Sequence, residues 1–154
     1  MSNNDSFVHQ TVTIKSSPEI VFKALTEADE LMRWFPTLVE SDPRPGGKFH
    51  FSWEFANASE NGSQQGEYVD VLPNRKLSYT WTAESIPTLV TFNLTEADGE
   101  TTVALDHASM QAEADNEKLH NMHANQWGFF LMNLKSYLET GIDLRKEKLN
   151  QIVS

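Results

Sequence analysis

The chain has 154 residues, 39% of them hydrophobic and 10% aromatic, which is enough to bury the core of one globular domain and excludes a disordered chain. Its 22 acidic residues against 12 basic ones give a net charge of −10, which excludes nucleic acid and anionic membrane surfaces as favoured partners. The absence of cysteine excludes disulfides and thiolate catalysis and predicts a reducing, cytoplasmic location.

The first predicted element is a strand that follows a peripheral tail over residues 1–6. The tail is polar and lacks the basic and apolar pattern of a signal peptide, and no apolar run approaches the ~20 residues that span a bilayer. Between Phe7 and Lys15, the apolar side chains of Val8, Val12 and Ile14 lie on one face, which predicts a half-buried strand.

Two short helices are predicted next. Ser17 followed by Pro18 is typical of a helix N-cap and first helical residue, and apolar residues then recur at helical spacing as far as Thr26. A second helical segment is predicted from about Glu27 to Trp34, because its apolar residues share one side before Pro36 stops the helix.

Between residues 39 and 107, alternating segments separated by turns predict a meander of six antiparallel strands. The turn signals lie at residues 45–47, 61–62, 73–74, 86–87 and 98–99. In one segment Phe49, Phe51, Trp53 and Phe55 occupy every second position, so their rings form a row on one face of the strand. This row is expected to face an apolar interior.

A long helix is predicted from Asn116 to Thr140, with Gly141 as its C-cap. Its apolar residues, among them Trp127 and Phe130, recur every three or four positions and indicate a face that packs on the sheet. Residues 142–154 are charged, and we expect a loosely docked peripheral tail or a short extra helix. The whole chain, residues 1–154, is expected to form a single domain.

Several segments, in this order, resemble the bacterial homologues of the activator of heat-shock protein 90 ATPase. They are residues 16–26, Trp34-Phe35, and residues 41–49, 77–81, 105–107 and 126–141. This AHSA-like family belongs to the SRPBCC superfamily, also called START-like or birch-pollen-allergen-like. The resemblance implies an α+β helix-grip fold, in which a curved antiparallel sheet of about seven strands, in the order β-α-α-β6-α, wraps around the C-terminal helix and encloses a hydrophobic cavity.

Such a cavity would be walled by aromatic rings, which can stack on a planar or steroidal ligand. Large aromatic residues at alternating positions are more often ordinary core, so close packing without a ligand is the alternative. The residues predicted to contact a ligand are Trp34, Phe49, Phe51, Trp53, Tyr68, Tyr79, Trp81, Phe92, His107, Trp127 and Phe130.

Two residues are candidates for catalysis. His107 shares a strand face with Val103 and Leu105, so its polar tip would enter the interior and could orient a ligand or act as a base. The alternative is a buried histidine that is hydrogen-bonded to a backbone carbonyl or to Tyr79. Glu67 could act as an acid or base if its side chain turned inward.

No cofactor or metal site is predicted. His120 and His123 lie three apart on the long helix, but no third ligand accompanies them, and a surface pair is favoured. The chain has no glycine-rich phosphate loop, nucleophile elbow or zinc-protease motif.

Three functions follow from this sequence as hypotheses. The first is a module that binds a small hydrophobic molecule. The second, implied by the resemblance, is a stress-response module that interacts with a chaperone ATPase. The third is a cyclase or hydrolase that uses the same cavity. Both a monomer and a homodimer stay open, since no heptad or exposed apolar stripe requires a dimer.

Overall fold

The computed structural model of the chain describes residues 6–54, 62–83, 86–109 and 117–145. One seven-stranded sheet runs in the order β1-β7-β6-β5-β4-β3-β2, and neighbouring strands are antiparallel. The elements are β1 (Ser6–Ile14), α1 (Pro18–Thr26), α2 (Ala28–Leu31), β2 (Leu38–Ser41), β3 (Lys48–Trp53), β4 (Gly62–Leu72), β5 (Lys76–Ala83), β6 (Ile86–Ala97), β7 (Glu100–Ser109) and α3 (Glu117–Thr140). The predicted α+β helix-grip architecture is confirmed.

Local signals in the sequence account for most element ends. Ser17 Oγ accepts a hydrogen bond from the Ile20 amide at 3.4 Å, and Pro18 is the first residue of α1. Asp98 and Gly99 have φ values of 55° and 79°, which form the tight turn between β6 and β7. The predicted caps and this hairpin are therefore present.

One predicted turn is wrong. Ile86 and Pro87 begin β6, and Pro87 lies opposite Thr82 of β5 in a regular pair. A proline is tolerated close to the start of a strand, where its missing N–H interrupts the ladder least. The strand signal of the residues that follow therefore extends back through Pro87.

Helix α3 packs beside the edge strand β1 and covers the inner face of the sheet. The Lys15 amide donates to Glu139 Oε2 at 2.8 Å, and Lys135 Nζ donates to the Thr13 carbonyl. Trp127, Leu131 and Leu134 of α3 are buried in the same core as Val8 and Ile14 of β1 and the inward residues of the other strands. Among the residues described, no helix is long and apolar enough to cross a membrane.

Some predicted features fall outside the described residues. These are Phe55, Asn61, the side chains of His120 and His123, and the tails over residues 1–5 and 146–154. The part of the C-terminal segment that is described ends at Arg145, whose residue surface is only 4% exposed. Arg145 is therefore not part of a peripheral tail, because its guanidinium is bound by backbone carbonyls of the domain.

Candidate binding site

Phe35 lies at the centre of the aromatic interior. Its ring centroid is 5.0 Å from that of Trp34, 4.9 Å from Phe130 and 5.7 Å from Phe51. It also packs against the three other tryptophans, so Phe35 contacts all four tryptophans of the chain. We call this group the Phe35 cluster; its members are Phe35, Trp34, Phe51, Trp53, Trp81, Trp127 and Phe130.

The predicted aromatic row faces the interior. Phe49 and Phe51 of β3 are buried, and their ring centroids lie 4.4 Å apart. Across the interior, the Trp127 ring of α3 lies 5.6 Å from Trp81 and 5.9 Å from Phe92. The rings of the sheet and the helix therefore meet, as the alternation of β3 and the periodicity of α3 predict, and they contact one another directly.

Two of the predicted contact residues are buried and held by hydrogen bonds. Trp34 Nε1 donates to the Ala24 carbonyl at 2.8 Å, and the Tyr68 hydroxyl pairs with Ser41 Oγ at 2.7 Å. Burial raises the pKa of Tyr68 to about 12, although the Ser41 hydrogen bond opposes this. Burial also raises the pKa of Tyr79 well above its ordinary value. Both tyrosines are neutral phenols under physiological conditions.

His107 is fully buried within a chain of hydrogen bonds. Trp127 Nε1 donates to His107 Nδ1 at 3.0 Å, and since an indole N–H is a donor only, Nδ1 is the acceptor. The imidazole proton therefore lies on Nε2, which is 2.8 Å from Thr88 Oγ1, and the Thr88 hydroxyl donates to the Trp81 carbonyl. Thr88 and Trp127 therefore engage both ring nitrogens of His107.

Trp53 has a different environment from these paired groups. Within the described part of the chain, its Nε1 atom is inaccessible to solvent and has no hydrogen-bond partner. Its ring packs 5.3 Å from Phe35, 6.1 Å from Trp81 and 6.5 Å from Phe130. A buried donor without a partner costs about 1–3 kcal/mol, so this N–H is available to an acceptor that enters the interior.

Glu67 is not part of this interior. Its side chain is exposed, and its carboxylate lies 3.7 Å from Lys48 Nζ on the outer face of the sheet. Tyr68 points inward, and a bulge between Tyr68 and Asp70 moves the next inward position to Val71. Without the bulge, alternation from Tyr68 would place Asp70 inside; instead its carboxylate lies 3.5 Å from Lys76 Nζ and is partly exposed.

A groove of about 340 Å³ lies on the opposite side of β3 from the aromatic row. It is lined by Met32, Leu38, Val39, Glu40, His50 and Ser52. The pairs Leu38 with Ser52 and Glu40 with His50 place these four side chains on the outer face of β2 and β3, whereas Val39 lies opposite Phe51. None of the residues that line the groove belongs to the Phe35 cluster.

The described side chains contain no group of three histidine, aspartate or glutamate residues that could hold a metal ion. His120 and His123 lie within the helix bounds of α3, but their side chains are not among those described. The expectation that they form a surface pair stays a prediction.

The family model for Activator of Hsp90 ATPase homolog 1-like proteins matches residues 15–139. The chain belongs to this family. The resemblance seen in the sequence is thereby confirmed, and with it the placement of the fold among SRPBCC proteins. No curated protein matches the chain.

Solved structures agree with this fold. DynU16 of the dynemicin biosynthetic locus is 20% identical, with a TM-score of 0.76, over 90% of this chain and 49% of that one. The Aha1 dimer from Colwellia psychrerythraea is 24% identical, with a TM-score of 0.70, over 87% and 96%. PFC0360w, an Hsp90 activator from Plasmodium falciparum, is 25% identical, with a TM-score of 0.66, over 88% and 96%. The chain spans about half the length of DynU16.

Sequence reasoning missed two features of the site. It placed Phe35 on the apolar side of a short helical segment but did not mark it as the centre of the cluster, because a turn of few residues has no periodicity that ranks its apolar side chains. It also predicted that the Trp53 ring faces the interior, but not that its N–H lacks a hydrogen-bond partner among the described residues. That property depends on neighbours brought together by tertiary structure.

Proposed function

We propose that the protein binds a small, planar, largely apolar molecule against the Phe35 cluster, and that this molecule accepts a hydrogen bond from Trp53 Nε1. The observation that carries the proposal is the buried indole N–H without a partner among the described residues. A ligand oxygen or nitrogen would satisfy this donor and remove the cost of leaving it unpaired.

The composition of the interior supports a ligand of this class. Binding sites for small molecules are mostly apolar and carry few polar groups, and aromatic rings stack well on planar molecules. Trp53 and Phe130 are the partly buried members of the Phe35 cluster, whereas Trp34 and Phe51 are fully buried. We therefore place the access to the site beside Trp53 and Phe130, where rings can separate with the least loss of packing.

Binding is favoured over catalysis by the environment of His107. Its two ring nitrogens are engaged by Trp127 and Thr88, so proton transfer to a substrate would first require breaking one of these bonds. Among the described residues, no aspartate or glutamate is fully buried in the interior. The role of His107 that we propose is to hold Trp127 in place as part of the wall, and catalysis by His107 or Glu67 stays a prediction.

Quinoline and naphthalene form a matched pair of probes, because they share a shape and only quinoline has a hydrogen-bond acceptor. An ordinary hydrogen bond contributes about 0.5–1.5 kcal/mol net, so quinoline should bind about two- to twelvefold more tightly than naphthalene. Isothermal titration or the quenching of tryptophan fluorescence measures both dissociation constants.

The variant Trp53→Phe keeps a ring and removes the N–H, so the advantage of quinoline should disappear. Tyr137→Phe is the matched control, because it removes a polar group outside the Phe35 cluster, a hydroxyl that donates to Glu30 at 2.8 Å. This control should retain the advantage. If neither probe binds, or if quinoline keeps its advantage in Trp53→Phe, the proposal is wrong.

Family membership supports a second candidate function, the stimulation of an Hsp90-type chaperone ATPase in a stress response. The relevant observations are the match over residues 15–139 and the likeness to the Hsp90 activator from Plasmodium falciparum. The test adds the full chain at stoichiometric excess to the Hsp90 of the same organism and measures ATP turnover. An unchanged rate would remove this candidate, and sedimentation of the chain alone would distinguish a monomer from a homodimer.

A further inference from the structure

The segment after α3 holds the corner of the chain that carries Phe35. The Arg145 guanidinium is buried, and its Nη1 atom donates to the carbonyls of Phe35 and Pro36, both at 2.9 Å. Its Nη2 atom donates to the Met32 carbonyl at 2.6 Å. One side chain therefore binds three carbonyls of the stretch between α2 and β2.

Two other residues complete this arrangement. The Asp143 carboxylate accepts from Arg145 Nη2 at 2.9 Å, and Asn133 Nδ2 of α3 donates to Asp143 Oδ1 at 3.0 Å. Asn133 Nδ2 also donates to the Trp34 carbonyl at 2.8 Å. We call Asn133, Asp143 and Arg145 the C-terminal clamp.

The chemistry of the clamp suits a positioning role. A guanidinium presents a rigid planar set of donors, so three carbonyls bound to it are fixed relative to one another. Asp143 balances its charge; burial tends to raise the pKa of this carboxyl, but hydrogen bonds from Arg145 and Asn133 hold that pKa below its ordinary value. The buried cation is therefore both paired and hydrogen-bonded, as a stable buried charge requires.

The backbone that the C-terminal clamp binds carries two members of the Phe35 cluster. Residues 32–36 lie between α2 and β2 and include Trp34 and Phe35, whose rings stack with centroids 5.0 Å apart. Because the Phe35 ring contacts all four tryptophans, a shift of its backbone must disturb the whole Phe35 cluster.

We propose that the C-terminal clamp positions Phe35 and thereby keeps the candidate binding site closed, so that release of residues 143–145 lets the corner move and admits a ligand. Arg145 acts here as a positioning residue, through the backbone of Phe35. The ligand part of this proposal rests on the proposed function, whereas the conformational part can be tested without any ligand.

The conformational test uses the protein labelled with 5-fluorotryptophan, whose fluorine resonances report on the four tryptophans. Arg145→Met removes the donors and retains much of the side-chain length. Well below the unfolding temperature, we expect its native resonances to shift and to broaden by exchange. Arg33→Met is the matched control, because this exposed arginine lies in the same corner and pairs only with Glu30 at 3.8 Å among the described residues. Its spectrum should superimpose on that of the unchanged protein.

A purely stabilising role makes a different prediction. In that case Arg145→Met would unfold at a lower temperature while its native resonances stayed in place, and the clamp proposal would be overturned. If Arg145→Met does not fold, Asp143→Asn serves instead, since it removes the charge and retains an acceptor. The same change in the native resonances is expected for Asp143→Asn, and its absence would equally overturn the proposal.

The ligand test measures the association rate of quinoline by stopped-flow fluorescence. The rate constant should rise severalfold in the Arg145 variant and stay unchanged in Arg33→Met. Altered resonances without binding of quinoline to any variant would reject the proposed function and leave the clamp standing. Binding with unaltered resonances in the Arg145 variant would reject the clamp and leave the proposed function standing.

Discussion

Trp127 Nε1 donates a hydrogen bond to His107 Nδ1 at 3.0 Å and so joins α3 to β7 inside the aromatic interior. Both residues are buried, and the Thr88 hydroxyl binds the other ring nitrogen. A polar pair inside an apolar core is stable only while each member keeps its partner. Removing either partner should therefore lower the free energy of unfolding by more than the loss of one ordinary hydrogen bond.

Replacing Trp127 by Phe should lower the free energy of unfolding by about 1–3 kcal/mol beyond the loss of ring volume, because His107 Nδ1 would be left buried without a donor. Urea unfolding measures the effect. The control is a double-mutant cycle with His107→Leu, in which the acceptor is already absent and Trp127→Phe should cost less. Strictly additive effects of the two changes would contradict the prediction.

Trp34 and Trp53 should respond differently to the same substitution. Trp34→Phe breaks the hydrogen bond to the Ala24 carbonyl, whereas Trp53→Phe removes a donor that has no partner among the described residues. We expect Trp34→Phe to cost about 1 kcal/mol more in unfolding free energy. The change in side-chain volume is identical and the fuller burial of Trp34 acts in the same direction, so a larger cost at position 53 would refute the prediction.

The tyrosines should resist ionisation in the folded protein. Burial raises the pKa of Tyr68 to about 12 and raises that of Tyr79 well above its ordinary value. Burial, together with the hydrogen bond to Glu30, raises the pKa of Tyr137 to about 12. Absorbance at about 295 nm should therefore show no tyrosine ionising near the ordinary value of about 10.

The sign of the resulting pH dependence is fixed by these raised values. The contribution of each phenol to stability is complete below about pH 10, the ordinary value, and is lost as the pH rises through the folded value. We expect phenolate absorbance to rise over the same pH range as the change in tryptophan fluorescence that reports unfolding. A tyrosine that ionises with a pKa of about 10 while the protein is still folded would contradict this.

Asp143 should contribute to stability at neutral pH and lose that contribution in acid. The pKa of its carboxyl is lowered in the folded state, so its stabilisation is present above the ordinary value of about 3.9 and is lost as the pH falls through the folded value. Asp143→Asn should therefore destabilise the protein at neutral pH, and the difference should shrink below about pH 4. Urea unfolding across this range tests it, and a constant difference would argue against the clamp's charge.

Much of the fold could be predicted because local chemistry determines it. The Ser17-Pro18 start of α1, the turn at Asp98-Gly99 and the alternation of β3 are properties of neighbouring residues, and each is present in the structure. The structure departs from the predictions where pairing with a neighbouring strand determines the backbone conformation. Pro87 is accepted into β6 opposite Thr82, and the bulge in β4 places Val71 instead of Asp70 at the next inward position.

The site could be predicted only in its apolar part. Periodicity indicates that Phe51 and Trp127 point inward, but it does not reveal which polar groups they meet. The pairing of His107 with Thr88, the unpaired N–H of Trp53 and the burial of Arg145 all depend on residues distant in the chain. No local pattern marks them, because a lone arginine in a charged segment usually lies in solvent.

The carbonyl of Phe35 and the guanidinium of Arg145 are separated by 110 residues in sequence. During synthesis on the ribosome, the corner at residues 32–36 leaves the exit tunnel long before the side chain that binds its carbonyls. At the usual pace of about 5–20 residues per second, this stretch of backbone waits about 5 to 22 seconds for its partner. Completion of the corner is thus coupled to the arrival of Arg145, and a nascent chain that stops short of this residue leaves those oxygens open to water or to chaperones.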